Sequence, residues 1–325
     1  MKIDIHNHFF PVKYIKELEK RKHSPTVERD HLGRILIKYA GDYNIVEKAH
    51  TDPEMRLKEM DRSGIDMQAL SLTTPGIDSI EPISQGVALA KIVNDKFSTI
   101  VETYPERFAA LAALPMRDVS SAVCELERAV TTLGLSGATI FSNVAGKCLD
   151  AIEFWPLYER ASKLDVPLFI HPTTPVYGHV FEDYRLVPLL GFPFDTTLAI
   201  TRLVFSGVFE KYPKLKFVLA HAGGTMPYLA ERIDNGYRAY PECKKHIKKL
   251  PSEYLKLTYL DTVSFHPPAL TCAFVFMGSN HLVLGSDYPH QIGNLEQSVT
   301  SIEELDLPEK ENIFGENAVR LLKLD

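Results

Sequence analysis

Cysteine is scarce in this chain. There are four in 325 residues, Cys124, Cys148, Cys243 and Cys272, far apart and with no CxxC pair. That spacing offers neither a thiolate zinc site nor a disulfide framework, and it suits reduced thiols in the cytoplasm. Basic charge is not in excess either. Lys and Arg number 36 against 42 Asp and Glu, a net charge of −6, so no general attraction to nucleic acid or anionic lipid is expected. The one basic cluster, Lys244-Lys245-His246-Ile247-Lys248-Lys249, reads as a solvated surface. No apolar run reaches the roughly 18 residues of a membrane span. Asp4, His6, Asn7 and His8 interrupt the N-terminal segment, which therefore lacks the apolar core of a signal peptide. No GxGxxG follows a predicted strand, so a dinucleotide-binding open sheet loses its usual support.

What the chain does have is alternation. With 45% hydrophobic and 24% charged residues, it can bury a large core. Eight short apolar runs are expected as strands: Lys2–His6, Met67–Leu72, Phe108–Leu114, Gly137–Phe141, Pro167–His171, Lys216–His221, Tyr254–Leu260 and His281–Gly285. Several, such as PLFIH, KFVLAH and HLVLGSD, are continuously apolar, as strands buried on both faces are. Amphipathic stretches separate them and are expected as helices, at about Ser84–Tyr104, Val119–Leu133, Ile152–Leu164, Thr196–Tyr212, Pro227–Tyr240, Pro267–Met277 and Glu309–Leu322 besides the first. That first one, the clearest, begins at Asp52-Pro53-Glu54, a cap followed by proline at the first helical position, and ends at Gly64. This pattern predicts an α/β fold, a (β/α)8 TIM barrel, as one metal-dependent domain over residues 1–325. Residues 9–50 break the alternation and are expected as an insertion after strand 1, lying over the barrel. Pro172–Pro193, rich in Pro, Gly, Tyr and Phe, is a second irregular stretch.

Catalytic groups of such a barrel lie at the C-terminal ends of its strands. Four predicted ends read IDIHNH, LFIHP, VLAHAGG and LGSDYP, each closing an apolar run with an ionisable group. His6 and His8 stand at i and i+2, a spacing that points both side chains to one side of a strand. Taken alone, His171 or His221 would be an ordinary strand-end histidine, and Asp287 could simply cap the following segment. Together the set delivers metal-competent groups from strands 1, 5, 6 and 8 to one face. Imidazoles plus one carboxylate suit a borderline divalent ion, zinc first, with manganese, cobalt or iron also compatible. Strand 4 ends in ATIFSN, without a Lys or Glu to bridge two ions, so one metal is expected. A histidine beside a metal-bound water can exchange a proton near neutral pH.

At this point the chain resembles the amidohydrolase superfamily, and within it the 2-amino-3-carboxymuconate-6-semialdehyde decarboxylase-like branch. The resemblance rests on MKIDIHNHFFP, TDPEMRLKEMDRSGID, GVFEKYPKLKFVLAHAGGTMPYLAERID, LGSDYP and GENAVRLLKL, and runs over nearly the whole chain. It implies that His6, His8, His171 and Asp287 are metal ligands and that His221 is the proton-transferring base, with Asp287 as a second candidate for proton transfer. It also implies that Arg232 binds a substrate carboxylate in the neighbouring subunit's site, hence a homodimer. One position departs from the pattern. Where the decarboxylase has a second carboxylate-binding arginine, eight residues before Asp52, this chain has Asn44, and the nearest basic residue is Lys48. Lys does not reproduce the bidentate fork of Arg. The expected function is non-oxidative decarboxylation of a small unsaturated or aromatic carboxylic acid. The alternative is hydrolysis of a lactone or hydration of an unsaturated acid at the same site.

Overall fold

A computed structural model describes residues 1–324; Asp325, the last residue of the expected 1–325 unit, lies outside the described residues. Eight parallel strands form the centre: β1 (Ile3–His8), β2 (Met67–Ser71), β3 (Phe108–Ala110, resuming at Ala112–Ala113), β4 (Ala138–Phe141), β5 (Pro167–His171), β6 (Lys216–Leu219), β7 (Tyr259–Asp261) and β8 (Leu282–Val283). Each pairs with the next in chain order. The two partial sheets join where Leu111 N–H donates to Leu70 O (2.9 Å), and the ring closes where Ile5 N–H donates to Leu284 O (3.0 Å). The expected barrel is what forms.

Burial explains the choice of strands. All five residues of PLFIH are buried, and both faces of each strand have a partner. Ile3, Ile5, Ala69, Phe169, Val218 and Val283 pack as one cluster with Leu321 and Leu322 of the closing helix Asn317–Leu322. The opposite faces, with Leu168, Ile170, Phe217 and Leu219, join the larger cluster that includes the surrounding helices. Fully burying one such side chain contributes roughly 1.5–3 kcal/mol. Along β1 the ladder slips between Asp4 and Asn7, a bulge of the kind that re-aims side chains beside active sites.

Three elements differ from the sequence expectation. The seventh strand starts at Tyr259, because Pro251 opens a short helix, Pro251–Leu255, over residues read as strand. The helix expected over Thr196–Tyr212 is two, Phe192–Phe205 and Val208–Lys211, parted at Gly207 with φ 85. A helix at Leu295–Glu303, capped by the Asn294 side chain on Gln297 N–H (2.9 Å), has no counterpart in the sequence reading.

The insertion is ordered. It holds the helix Val12–Glu19 and an antiparallel sheet of Thr26–Arg29, Ile35–Tyr39 and Asp42–Val46, the last two joined by a tight turn at Ala40-Gly41. The second irregular stretch consists of short turns, with Tyr184 and Arg185 both at positive φ, leading into Phe192–Phe205. Asp183–Phe205 is long and apolar enough to match a membrane span by length and composition. Half of its apolar window is buried within the protein, and Leu189 and Phe192 line a cavity over the barrel.

Candidate metal centre and substrate cavity

The C-terminal strand ends converge. β1 contributes His6 and His8, β5 ends on His171, His221 follows β6, and Asp287 follows β8. The Nε2 atoms of His6 and His8 lie 3.2 Å apart, and Asp287 Oδ1 is 3.1 Å from His8 Nε2 and 3.5 Å from His6 Nε2. Ligand atoms of His6, His171, His221 and Asp287 all fall within 4.8 Å of one another. His8, Asp287 and His290 form an overlapping group of the same kind.

The far side of each ring is already engaged. His6 Nδ1 faces Asp261 Oδ2 at 2.5 Å, and His171 Nδ1 faces the carbonyl of Pro172 at 2.7 Å. With those protons on Nδ1, the Nε2 lone pairs of both rings point into the site. His8 Nδ1 meets Ser71 Oγ at 3.3 Å. Partners on the outer nitrogen are what fix tautomer and orientation in histidine metal ligands. Burial, reinforced by neighbouring histidines, holds His8 and His171 well below the ordinary imidazole pKa. They are therefore neutral, the form that binds cations. At His6 burial also pulls downward, but Asp261 outweighs it and the net direction is up. Two imidazole nitrogens and a carboxylate oxygen this close, with outer atoms committed elsewhere, fit a shared divalent cation.

Asp261, from the end of β7, organises more than His6. Its carboxylate also accepts the N–H groups of His221 (3.0 Å), Ala222 (2.9 Å) and Val263 (3.0 Å). His221 and Ala222 have φ 56 and 53, a left-handed conformation that costs about 1–3 kcal/mol per non-glycine residue. The Asp261 bonds hold that turn. His221 Nε2 consequently faces Asp287 Oδ2 at 4.0 Å, while its Nδ1 is buried with no partner among the described residues. Burial lowers its pKa, helped by His6. Asp287 itself has φ 56, and its N–H donates to His6 O at 2.8 Å. Gly285 leaves the room: a Cβ there would lie 2.9 Å from His6 Cβ and 3.1 Å from Asp261 Cβ.

Beneath the converging histidines and Asp287 runs a buried polar layer. Asp4 accepts from Ser286 Oγ (2.6 Å) and Gln68 Nε2 (2.8 Å). Arg56, fully buried, donates to Gln68 Oε1, Asn7 Oδ1 and His8 O. Burying a charge this deeply is costly unless it is fully bonded, and these bonds tie β1 to its neighbours.

Above the site lies a cavity of about 430 Å³. His171, His221, Asp287 and His290 line its floor, and Tyr39, Asp42, Tyr43, Asn44, Thr74 and Arg185 are among its other walls. Two aromatic residues of the irregular stretches, Tyr43 and Phe192, also line the cavity. Phe9 is core, and Tyr177 is exposed. Asn44 is buried and donates to Thr74 O at 2.5 Å. Lys48 pairs with Asp52 at 3.5 Å and does not line the cavity. Arg232 is exposed on the helix Met226–Ala239 and does not line its own chain's cavity. Asp261 was absent from the sequence expectation, although its signal, a carboxylate closing the apolar run YLD, is the same as that of Asp287. The expected strand stopped at Leu260, one residue before it.

The sequence profile of the amidohydrolase family matches residues 3–324, and the chain belongs to that family. It is 34% identical to the 2-amino-3-carboxymuconate-6-semialdehyde decarboxylase of Dictyostelium discoideum, over 100% of this chain and 92% of that protein. Its fold superposes on the 5-carboxyvanillate decarboxylase of Sphingomonas paucimobilis with a TM-score of 0.87, 28% identity and coverage of 100% and 99%. The dihydroxybenzoic acid decarboxylase of Polaromonas sp., solved with manganese and the inhibitor 2-nitroresorcinol, gives a TM-score of 0.81 at 27% identity, covering 99% and 97%.

Proposed function

We propose that this protein is a metal-dependent, non-oxidative decarboxylase of a small aromatic or unsaturated carboxylic acid, acting as one catalytic unit over residues 1–325. The observation that carries the reading is the convergence of His6, His8 and Asp287 within 3.1–3.5 Å, with His171 and His221 beside them, at the floor that Asp287, His171 and His221 present to the cavity. The relatives named above, all decarboxylases, support the same reading.

In this reading His6, His8, His171 and Asp287 hold one divalent ion. The donor set suits zinc, and the manganese in the Polaromonas relative makes that ion the alternative. Bound there, the ion supplies a Lewis acid for the oxygens of the substrate. His221, whose Nε2 lies 4.0 Å from the outer oxygen of Asp287, delivers a proton, with Asp287 as the second candidate donor, to the ring or alkene carbon that bears the carboxylate. That carbon becomes tetrahedral, its bond to the carboxylate breaks, carbon dioxide leaves, and the electron pair restores the unsaturated system. One proton enters and one carbon dioxide departs, so no oxidant is needed.

Arg232 serves the neighbouring subunit's site in a homodimer and holds the reacting carboxylate there. Its exposure, and that of Tyr228 one turn earlier, support this. So do the exposed Phe194 and Leu198, whose helix is joined to this one by Thr197 Oγ1 and Thr225 Oγ1 at 3.0 Å. The cytoplasm is the expected location, consistent with four free cysteines. The test is incubation of metal-loaded protein with hydroxybenzoates and carboxymuconates. Carbon dioxide release from at least one is expected, with about one metal ion per chain by elemental analysis. Lactone or enol-acid turnover without carbon dioxide would replace this reading.

A further inference from the structure

Away from the floor, the cavity ends between the Asp42–Val46 strand and the turn of Asp183–Arg185. Among the described lining residues, Arg185 is the only lysine or arginine. Its guanidinium carbon lies 4.0 Å from the centroid of the Tyr43 ring. Its Nη1 donates to Tyr43 O at 3.0 Å and forms an ion pair with Asp42 Oδ1 at 3.0 Å. The Asp42 side chain is only 3% exposed, whereas that of Arg185 is 38% exposed. The arginine is therefore neutralised by a carboxylate fixed in the wall. Beside the pair, Tyr39 OH bonds Thr74 Oγ1 (2.6 Å) and Asn44 Nδ2 bonds Thr74 O (2.5 Å), so this end of the cavity is polar without net charge.

We propose that Asp42 and Arg185 form the specificity-determining pair of this site, selecting an acid with a single carboxylate and a neutral hydrogen-bonding group at the far end, and rejecting a dicarboxylate. The inference rests on the decarboxylase reading. A second substrate carboxylate would have to share Arg185 with Asp42, and two carboxylates on one cation repel. A hydroxyl meets no such repulsion, and Nε and Nη2 of Arg185, which are not part of the Nη1 contacts, can donate to it. Burial raises the Asp42 carboxyl on balance, and Arg185 is the strongest influence drawing it back down.

The test compares hydroxybenzoates with hydroxyisophthalates, which differ by one ring carboxylate, in metal-loaded wild type, Asp42→Asn and the Asp42→Asn/Arg185→Gln double variant. Wild type should favour the monoacids by about tenfold or more in kcat/KM, and Asp42→Asn, which frees the arginine, should shift the ratio toward diacids by about tenfold, mainly through KM. The double variant should lose that shift. Preference of the wild type for diacids, or an unchanged ratio in Asp42→Asn, would overturn the proposal while leaving decarboxylation intact. If no acid releases carbon dioxide, the decarboxylase reading fails instead. The charge preference is then read from calorimetric binding of benzoates and isophthalates to the same folded proteins, where equal or reversed preference overturns it.

Discussion

His171, His221 and Asp287, with His6 and His8 packed behind them, and Tyr39, Asp42, Asn44 and Arg185 opposite bound one cavity but rest on different supports. The first set stands on strand ends, with outer atoms bonded to Asp261, Pro172 and Ser71 and the buried layer of Asp4, Gln68 and Arg56 beneath. The second set comes from an inserted sheet and a turn, bonded to each other and to Thr74. A floor held through the barrel ladder keeps donor atoms within a few tenths of an ångström, as proton transfer and cation binding require. A wall carried on an insertion can change its side chains without moving that floor, which is where barrels place substrate choice.

The contrast predicts a graded set of effects. His171→Ala, which removes a floor imidazole, should abolish metal content and activity together; retained stoichiometric metal by elemental analysis would contradict its assignment as a ligand. Asp261→Asn should keep the fold but loosen both His6 and the His221 turn, lowering metal affinity or kcat about 10–100-fold. Metal titration and steady-state kinetics read this directly. Removing the same kind of hydrogen bond from the wall is expected to matter less. Tyr39→Phe breaks the bonds to Thr74 Oγ1 (2.6 Å) and Asp42 Oδ2 (3.3 Å) and should change kcat/KM by less than about tenfold, through KM, with metal content unaltered.

The wall also has an anchor whose effect is on stability. Thr73 and Thr74 belong to a loop whose far end is fixed by Asp78, which accepts the N–H of Met116 at 2.8 Å. Burial raises the Asp78 carboxyl from 3.8 to about 7. Between about pH 4 and 7 the folded protein therefore holds a proton that the unfolded chain has released, and stability falls as pH rises through that window. The slope is at most about 1.4 kcal/mol per pH unit. Denaturant unfolding across this range should show the fall, and Asp78→Asn, which accepts the same bond without ionising, should flatten it. An identical slope in the variant would remove Asp78 as its source.

Legibility in the sequence followed the same division. The floor could be read because strand periodicity is short-range: IDIHNH, LFIH and LGSD each put an ionisable group at the end of an apolar run, and a parallel barrel gathers such ends onto one face. Asp261 escaped because its strand was expected to end at Leu260, one residue short of the carboxylate, whereas in the fold Asp261 closes the strand. The wall was harder to read for a physical reason. Asp42 and Arg185 lie 143 positions apart in the sequence, and their pairing depends on how an insertion folds back over the barrel and on a turn with two left-handed residues. Nothing local in GDYNIV or DYRLV encodes that contact. Asn44 could be noticed as a departure from a resemblance, but the charge balance around it comes only from the three-dimensional arrangement.

The most direct test is decarboxylation in deuterium oxide by the metal-loaded protein, measuring carbon dioxide and the mass of the product together. The account predicts one carbon dioxide per acid consumed and a single deuterium at the vacated carbon, with both signals lost in His221→Ala despite full metal content. Acid consumed with no carbon dioxide, and a product heavier by the elements of water, would contradict it.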